Sequence, residues 1–199
     1  TPANETAAAE TSIATPARVD NFRLVEAGGK AVELYRMKDA TAVVMMMHAV
    51  GSADVARAAP ELAKLQAAYA GKGVEFMLIN SNPKDTREAI LADAQKNGIT
   101  APILQDDIQL VGEQLGATRV SETFVVDPKT WKIAYHGPLS ADAVDAVVPG
   151  KEVAVASAAV KGAVIDFPAR SEKARAEFAK ISYSPTIAPL LAEKGIPCH

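Results

Sequence analysis

The chain has 199 residues, of which 49% are hydrophobic and 23% are charged, and its formal net charge is −3. This composition is typical of a globular protein with room for one substantial core. A slightly acidic chain has no electrostatic attraction for nucleic acid or for an anionic membrane, so neither is expected as a partner. No apolar run approaches the ~20 residues that a membrane-spanning helix needs, so no membrane span is expected.

The two ends of the chain differ in composition from its middle. Residues 1–18 are rich in Ala, Thr and Glu without periodicity, which predicts a disordered tether. Because the sequence starts with Thr-Pro-Ala rather than Met, we expect a mature form after removal of a secretion signal, or else a fragment. The first alternative predicts a periplasmic or secreted protein. The single cysteine, Cys198, cannot form an internal disulfide and does not decide the compartment.

A β-hairpin is the first predicted element, because alternating apolar residues flank Gly28 and Gly29, which can supply the positive φ of a turn. The unbroken apolar run at 42–47 has the length of a buried strand. A helix with apolar residues at helical spacing follows from Ser52, and Pro60 lies inside it.

The middle of the chain then alternates between strand and helix patterns. The predicted elements are a buried strand at 74–79, a helix from 83 to 98, an apolar segment at 103–104, a helix at 108–115, strands at 124–126 and 131–135, and a helix at 141–148. Asn82 is the predicted cap of the second helix, with Pro83 at its first position. In the last strand, Trp131, Ile133 and Tyr135 are predicted to share a face. This order predicts an α/β protein with a mixed sheet.

Residues 20–148 resemble the thioredoxin-like redoxins, the group of thiol-disulfide oxidoreductases and peroxiredoxin-related proteins. The resemblance rests on the strand, loop and helix around Ser52 and on the segments P-E-L-A-K-L, K-G-V-E-F and T-R-V-S-E-T-F-V-V-D-P. It implies a central mixed sheet flanked by helices, with an N-terminal β-hairpin and a helical C-terminal extension. The corresponding domains are a tether at 1–18, a redoxin domain at 19–150 and an extension at 151–199.

The positions that carry chemistry in that family hold other residues here. In the family, the first helix opens with Cys-x-x-Cys, and a proline lies five residues after the second cysteine. Counting back from Pro60 places the two cysteine positions at Ser52 and Val55, and the family's cis-proline position is Ser121. The resemblance therefore implies a vestigial site without catalytic residues. We expect Ser52 to be a helix N-cap, Val55 to be core, and the bond before Ser121 to be trans, because a non-proline cis bond costs ~3 kcal/mol.

The last residues resemble the start of a c-type cytochrome domain. Ser184 and Pro185 predict a short helix that runs into G-I-P-C-H. In the cytochromes, a helix runs into Cys-x-x-Cys-His, where the thiols bond the haem and the His binds the iron. Cys198 and His199 match the second thiol and the iron ligand, whereas Gly195 stands at the first thiol. The resemblance implies a candidate haem c site at Cys198 and His199, which is either a remnant or the start of a haem module that is cut at this point.

The run Met45-Met46-Met47-His48 contains ligand types that suit Cu(I), so His48 is a candidate copper ligand. Strand alternation, however, places Met45 and Met47 on the face opposite to Met46 and His48, and methionine in a central strand is mostly core. The acidic residues Asp106, Asp107 and Asp127 stand at predicted helix starts and turns, where Asp forms local hydrogen bonds.

Three functions remain open from the sequence. The first is a non-catalytic thioredoxin-fold module that docks a protein partner, such as a cytochrome or respiratory complex, within a c-type cytochrome-like electron-transfer protein. The second is a divergent thiol-disulfide oxidoreductase or peroxidase that uses Cys198 or the cysteines of a partner. The third is a copper-handling module.

Overall fold

A computed structural model of the chain describes residues 18–148 and 157–167. The predicted tether before Arg18 and the predicted haem segment, with Cys198 and His199, lie outside these residues. By their contacts, the described residues up to Ile165 belong to the first of two compact units.

The first unit is built from strands that alternate with helices. The strands are Arg23–Glu26 (β1), Ala31–Glu33 (β2), Ala42–His48 (β3), Val74–Asn80 (β4), Ile103–Gln105 (β5), Thr123–Asp127 (β6) and Lys132–Gly137 (β7). The α-helices are Ala53–Ala68 (α1), Arg87–Asn97 (α2), Leu110–Leu115 (α3) and Ala141–Val147 (α4), and a short 3-10 helix spans Leu34–Met37. Within the described residues, no helix is both long enough and apolar enough to cross a bilayer.

In the part of the chain that the structure describes, the strands form one seven-stranded mixed sheet in the order β2-β1-β5-β4-β3-β6-β7. Strand β4 runs parallel to its neighbours β3 and β5, whereas β1, β6 and β7 pair antiparallel with theirs. This thioredoxin-like α/β arrangement confirms the predicted fold class. The predicted hairpin is β1 and β2, and Gly29 in its turn has a φ of 98°.

The core lies on both faces of the sheet, and β3 is buried along its whole length. Ala42, Val44 and Met46 face a cluster that includes residues of α1, α2 and α4. Val43, Met45 and Met47 face the opposite cluster, which includes residues of α3. The three methionines are 0% exposed, so the predicted alternation and the core role of the methionines are confirmed.

The predicted start of α2 is wrong by several residues. The helix begins at Arg87, and its N-cap is Thr86, whose hydroxyl oxygen accepts a hydrogen bond from the Ala89 N–H. Asn82 instead closes a turn before the helix: its Oδ1 accepts from the Lys84 N–H and its Nδ2 donates to Asp85. Asn82 and Thr86 can both cap a helix, and Asn82 instead forms the turn that precedes α2.

The predicted face of the last strand is confirmed for Trp131 and Ile133 but is wrong for Tyr135. Trp131 precedes β7 in a turn with a φ of 59°. A register shift between Val125 and Val126 then inserts an extra residue in β7. Because a β-bulge changes the alternation of side chains, Ile133 packs with the same cluster as Trp131, whereas Tyr135 belongs to the other cluster.

Candidate functional site

The candidate site lies where β3 ends and α1 begins. Ser52 has extended backbone angles, and its hydroxyl oxygen accepts hydrogen bonds from the N–H groups of Asp54 (3.2 Å) and Val55 (3.3 Å). These bonds satisfy donors of the first helical turn, as an N-cap does. The Asp54 carboxylate lies in the same turn, where the helix dipole favours a negative charge. Ser52 is therefore the N-cap of α1, as predicted.

Val55 and Ser121, the other two positions predicted to match the family's site, have structural roles as well. Val55 is 0% exposed and belongs to the core cluster under α1. Ser121 has a φ of 65°, and its N–H donates to the Met47 carbonyl at 2.9 Å, which ties the loop before β6 to the end of β3. The described residues contain no cis peptide bond, so the bond before Ser121 is trans, as predicted.

Two carboxylates, the buried Asp93 and the partly buried Asp85, hold the loop between β3 and α1. Asp85 Oδ2 accepts from the Val50 N–H and Asp93 Oδ1 accepts from the Gly51 N–H, each at 2.9 Å. Gly51 has a φ of 73°, a conformation that glycine adopts without a steric penalty. The position of the loop between β3 and α1 is thus set by the segment before α2 and by α2 itself.

His48 joins this network, and its protonation follows from its partners. Asn80 Nδ2 lies 3.0 Å from His48 Nδ1 and 2.9 Å from Asp85 Oδ2, so it donates to both. The proton of the neutral ring then sits on Nε2, which donates to Asp93 Oδ2 at 3.2 Å. Burial disfavours the imidazolium and lowers the pKa of His48, although the Asp93 carboxylate acts in the opposite direction.

This network bears on the copper hypothesis. Both ring nitrogens of His48 engage in hydrogen bonds, so a copper ion would have to displace Asn80 or Asp93. Within the described parts of the chain, no group of three or more His, Cys, Asp or Glu residues could hold a metal ion.

A second buried carboxylate, Glu122, supports the loop that carries Ser121. Its Oε2 accepts from the N–H groups of Thr118 (2.6 Å) and Arg119 (3.0 Å), and its Oε1 contacts His136 Nε2. Burial alone would raise the pKa of Glu122, but the hydrogen bonds from His136 and from the two backbone N–H groups lower it overall. Glu122 is 1% exposed and ionised at neutral pH.

The sequence patterns did not identify four residues of this site: Asn80, Asp85, Asp93 and Glu122. One signal was present for Asp93, which lies three residues after the buried Ile90 and therefore on the inward face of α2. Glu122 was visible only as a polar residue just before a buried strand. Neither pattern identifies the partner.

The comparisons with known proteins agree with this fold. Residues 16–136 match the model of the AhpC/TSA family. The chain belongs to the AhpC/TSA family. A search among curated proteins found no match.

Several solved structures resemble this AhpC/TSA chain. A hypothetical protein from Sinorhizobium meliloti 1021 is 30% identical, with a TM-score of 0.71, and the match covers 80% of this chain and 97% of that one. An uncharacterized conserved protein from Geobacillus kaustophilus is 26% identical, with a TM-score of 0.70 and coverage of 79% and 94%. The thioredoxin domain of a thiol-disulfide oxidoreductase from Bacteroides vulgatus is 20% identical, with a TM-score of 0.58 and coverage of 69% and 97%, and shows the shared fold.

Proposed function

We propose that this AhpC/TSA chain is a non-catalytic redoxin-fold module that docks a protein partner. The role of Ser52 is the main support for the absence of catalysis, because its hydroxyl oxygen accepts the hydrogen bonds that cap α1. A serine nucleophile also needs an adjacent base, and both ring nitrogens of the nearby His48 are engaged with Asn80 and Asp93. Val55 at the second thiol position is sealed in the core.

The partner belongs to the finer part of the proposal. The motif G-I-P-C-H supports a haem c bonded to Cys198 and ligated by His199, and hence a docking role within a c-type cytochrome-like protein of electron transfer or respiratory assembly. A periplasmic or secreted location goes with this assignment. When bound, the haem would supply one-electron transfer, and the redoxin domain would supply the protein-binding surface.

The second candidate is a divergent thiol-disulfide oxidoreductase or peroxidase. Membership of the AhpC/TSA family and likeness to a thiol-disulfide oxidoreductase domain favour it. Its thiol would be Cys198 or would come from a partner, because the chain has one cysteine.

Two measurements on the full chain separate these candidates. Insulin reduction and peroxide consumption are assayed for the wild type and for Cys198→Ser, with an active thioredoxin and an active peroxiredoxin as positive controls. We expect no turnover from either form. Turnover by the wild type that disappears in Cys198→Ser would establish the thiol enzyme and overturn the docking module.

The haem assignment has its own test. Intact mass and a visible spectrum are recorded on natively sourced protein. A mass increased by one haem, with a Soret band and a sharp reduced α-band, supports attachment at Cys198. An unmodified mass and a colourless solution overturn the cytochrome assignment and leave a redoxin scaffold.

A further inference from the structure

The side chain of Asn80 is the centre of the hydrogen bonds next to the loop between β3 and α1. Asn80 of β4 and His48 of β3 are direct partners in the sheet register, and Asn80 is 2% exposed. Its Nδ2 donates to His48 Nδ1 at 3.0 Å and to Asp85 Oδ2 at 2.9 Å, while its Oδ1 accepts from the Asn82 N–H at 3.0 Å. The amide is thus fixed in one orientation by partners on both sides.

Asp85 connects this arrangement to the loop. Its Oδ2 also accepts from the Val50 N–H at 2.9 Å, and its Oδ1 accepts from Asn82 Nδ2 at 2.8 Å. The turn at 80–85 and the loop between β3 and α1 therefore share one carboxylate, and Asn80 holds that carboxylate in place.

A proton on the ring of His48 is incompatible with this arrangement. In an imidazolium both ring nitrogens are donors, so the Nδ1–H would face Asn80 Nδ2, which is also a donor. The amide resolves the conflict by rotating, which turns its oxygen toward Nδ1 and the Asp85 carboxylate and its NH2 toward the Asn82 N–H. The bonds from Asn80 Nδ2 to Asp85 and from the Asn82 N–H to Asn80 Oδ1 are then both lost.

The bond on the other side of the ring does not change in this way. Nε2 of His48 donates to Asp93 Oδ2 in the neutral ring, and in the charged ring it donates a stronger, charge-assisted bond. The other oxygen of Asp93 accepts from the Gly51 N–H at 2.9 Å. Proton uptake therefore acts on the Asn80 side and leaves Gly51 bound to Asp93.

We infer that His48 and Asn80 form a pH-sensitive latch: the neutral ring holds the turn at 80–85 against the loop between β3 and α1, and the protonated ring releases it. The latch adds a regulatory property to the chain and does not rest on the proposed docking function. Thiol turnover would overturn that function and leave the latch unaffected.

The direction of the response follows from the environment of the ring. The held state favours the neutral ring, because burial of His48 outweighs the attraction of the nearby carboxylates and lowers its pKa. When the turn is released, water reaches the ring and its pKa moves toward the ordinary value of about 6.5. The released state therefore binds more protons, and its population rises as the pH falls below about 6.5.

Two carboxylates act on the ring from α2 and from the segment before it. Asp93 and Asp85 both favour protonation of His48. The Asp54 carboxylate at the start of α1 bonds within its own helix, and the Glu122 carboxylate before β6 bonds to β7 and to the preceding loop. The test must therefore separate the titration of the ring from that of Asp85 and Asp93.

The test is NMR of the full chain between about pH 7.5 and about pH 4.5, in which the ring nitrogen resonances of His48 report its protonation. Amide exchange is expressed as protection factors, which remove the intrinsic pH dependence of exchange. We expect the protection of the Asn82 and Val50 amides to fall at least about tenfold with the midpoint of the ring, and that of the Gly51 amide to change less than about twofold. Unchanged protection of Asn82 and Val50 while the ring titrates would overturn the inference, as would a ring that stays neutral over the whole range.

His48→Gln removes the titrating group, and His136→Gln makes the same change at a histidine outside the latch. We expect the protection of Asn82 and Val50 to lose its pH dependence in His48→Gln and to keep it in His136→Gln. A fall that persists in His48→Gln belongs to the carboxylates, and the latch is then wrong. If His48→Gln does not fold, the wild type decides, because a fall in protection whose midpoint differs from that of the ring also contradicts the latch.

Discussion

Asp93 is the side chain through which α2 holds the loop between β3 and α1. Its replacement by Asn tests the hydrogen bonds around His48. Asp93 is 6% exposed and accepts hydrogen bonds from His48 Nε2 (3.2 Å), the Gly51 N–H (2.9 Å) and Asn97 Nδ2 (3.1 Å). Asp93→Asn keeps the shape of the side chain but converts one acceptor oxygen into a donor. The new amide group must then face either the Gly51 N–H or the ring of His48.

Neither orientation avoids a donor facing a donor. If the new NH2 faces His48, the ring can move its proton to Nδ1, but Asn80 Nδ2 already donates to that nitrogen. If the NH2 faces Gly51, it meets a backbone N–H directly. One buried donor is left unsatisfied in each case, which costs about 1–3 kcal/mol. Asp93→Ala removes all three acceptor bonds, and we expect a loss of about 3–5 kcal/mol.

Urea unfolding of the full chain at neutral pH measures these changes. The control is Asp39→Asn, which makes the same chemical change at an exposed position. We expect Asp93→Asn to lower the urea midpoint with an unchanged m-value, and Asp39→Asn to stay within about 0.5 kcal/mol of the wild type. If Asp93→Asn is as stable as Asp39→Asn, the hydrogen-bond assignment around His48 is wrong.

Three further predictions concern the same region. The pKa of His48 is lower in the folded chain than its unfolded value of about 6.5, so the unfolded state binds more protons below that pH. The free energy of unfolding should therefore fall on acidification below pH ~6.5, by at most about 1.4 kcal/mol per pH unit. Urea unfolding of His48→Gln at each pH should show a smaller dependence of this free energy on pH. Ser52→Ala should lower the free energy of unfolding by about 1 kcal/mol, whereas Ser52→Asp should leave it unchanged, because only aspartate keeps a capping oxygen. Equal thermal midpoints for the two variants would contradict the role of Ser52 as N-cap. Ser121→Gly should leave the free energy of unfolding unchanged or raise it by up to ~1 kcal/mol, because the φ of 65° suits glycine. Ser121→Pro should lower it by about 3 kcal/mol, because proline fixes φ near −65° and removes the N–H that donates to Met47. A proline variant as stable in urea as the glycine variant would refute this.

Local patterns predicted much of the fold. The unbroken apolar run that became β3 and the capping hydroxyl of Ser52 depend on neighbours within a few residues, so the sequence displays them directly. The same holds for the split of the methionines between two faces, which follows from the period of a strand. Where two local signals competed, as at Asn82 and Thr86, the sequence alone did not decide which one capped α2.

The sequence by itself determined the fold class and the family resemblance, because these depend on residue identity and short-range periodicity. Only the tertiary structure decided that Asp93 holds the loop before Ser52, that Glu122 supports the loop of Ser121, and that residues 162–165 pair with the loop at 118–120 and contact α1. The contact of Asp93 with Gly51 joins residues 42 positions apart, and the contacts of residues 162–165 with Arg119 and Asp54 join residues 43 and 109 positions apart. Of the Glu122 contacts, the one with His136 of β7 joins separate elements. A periodic pattern reports which face of an element is buried, but it does not report which distant partner lies against that face.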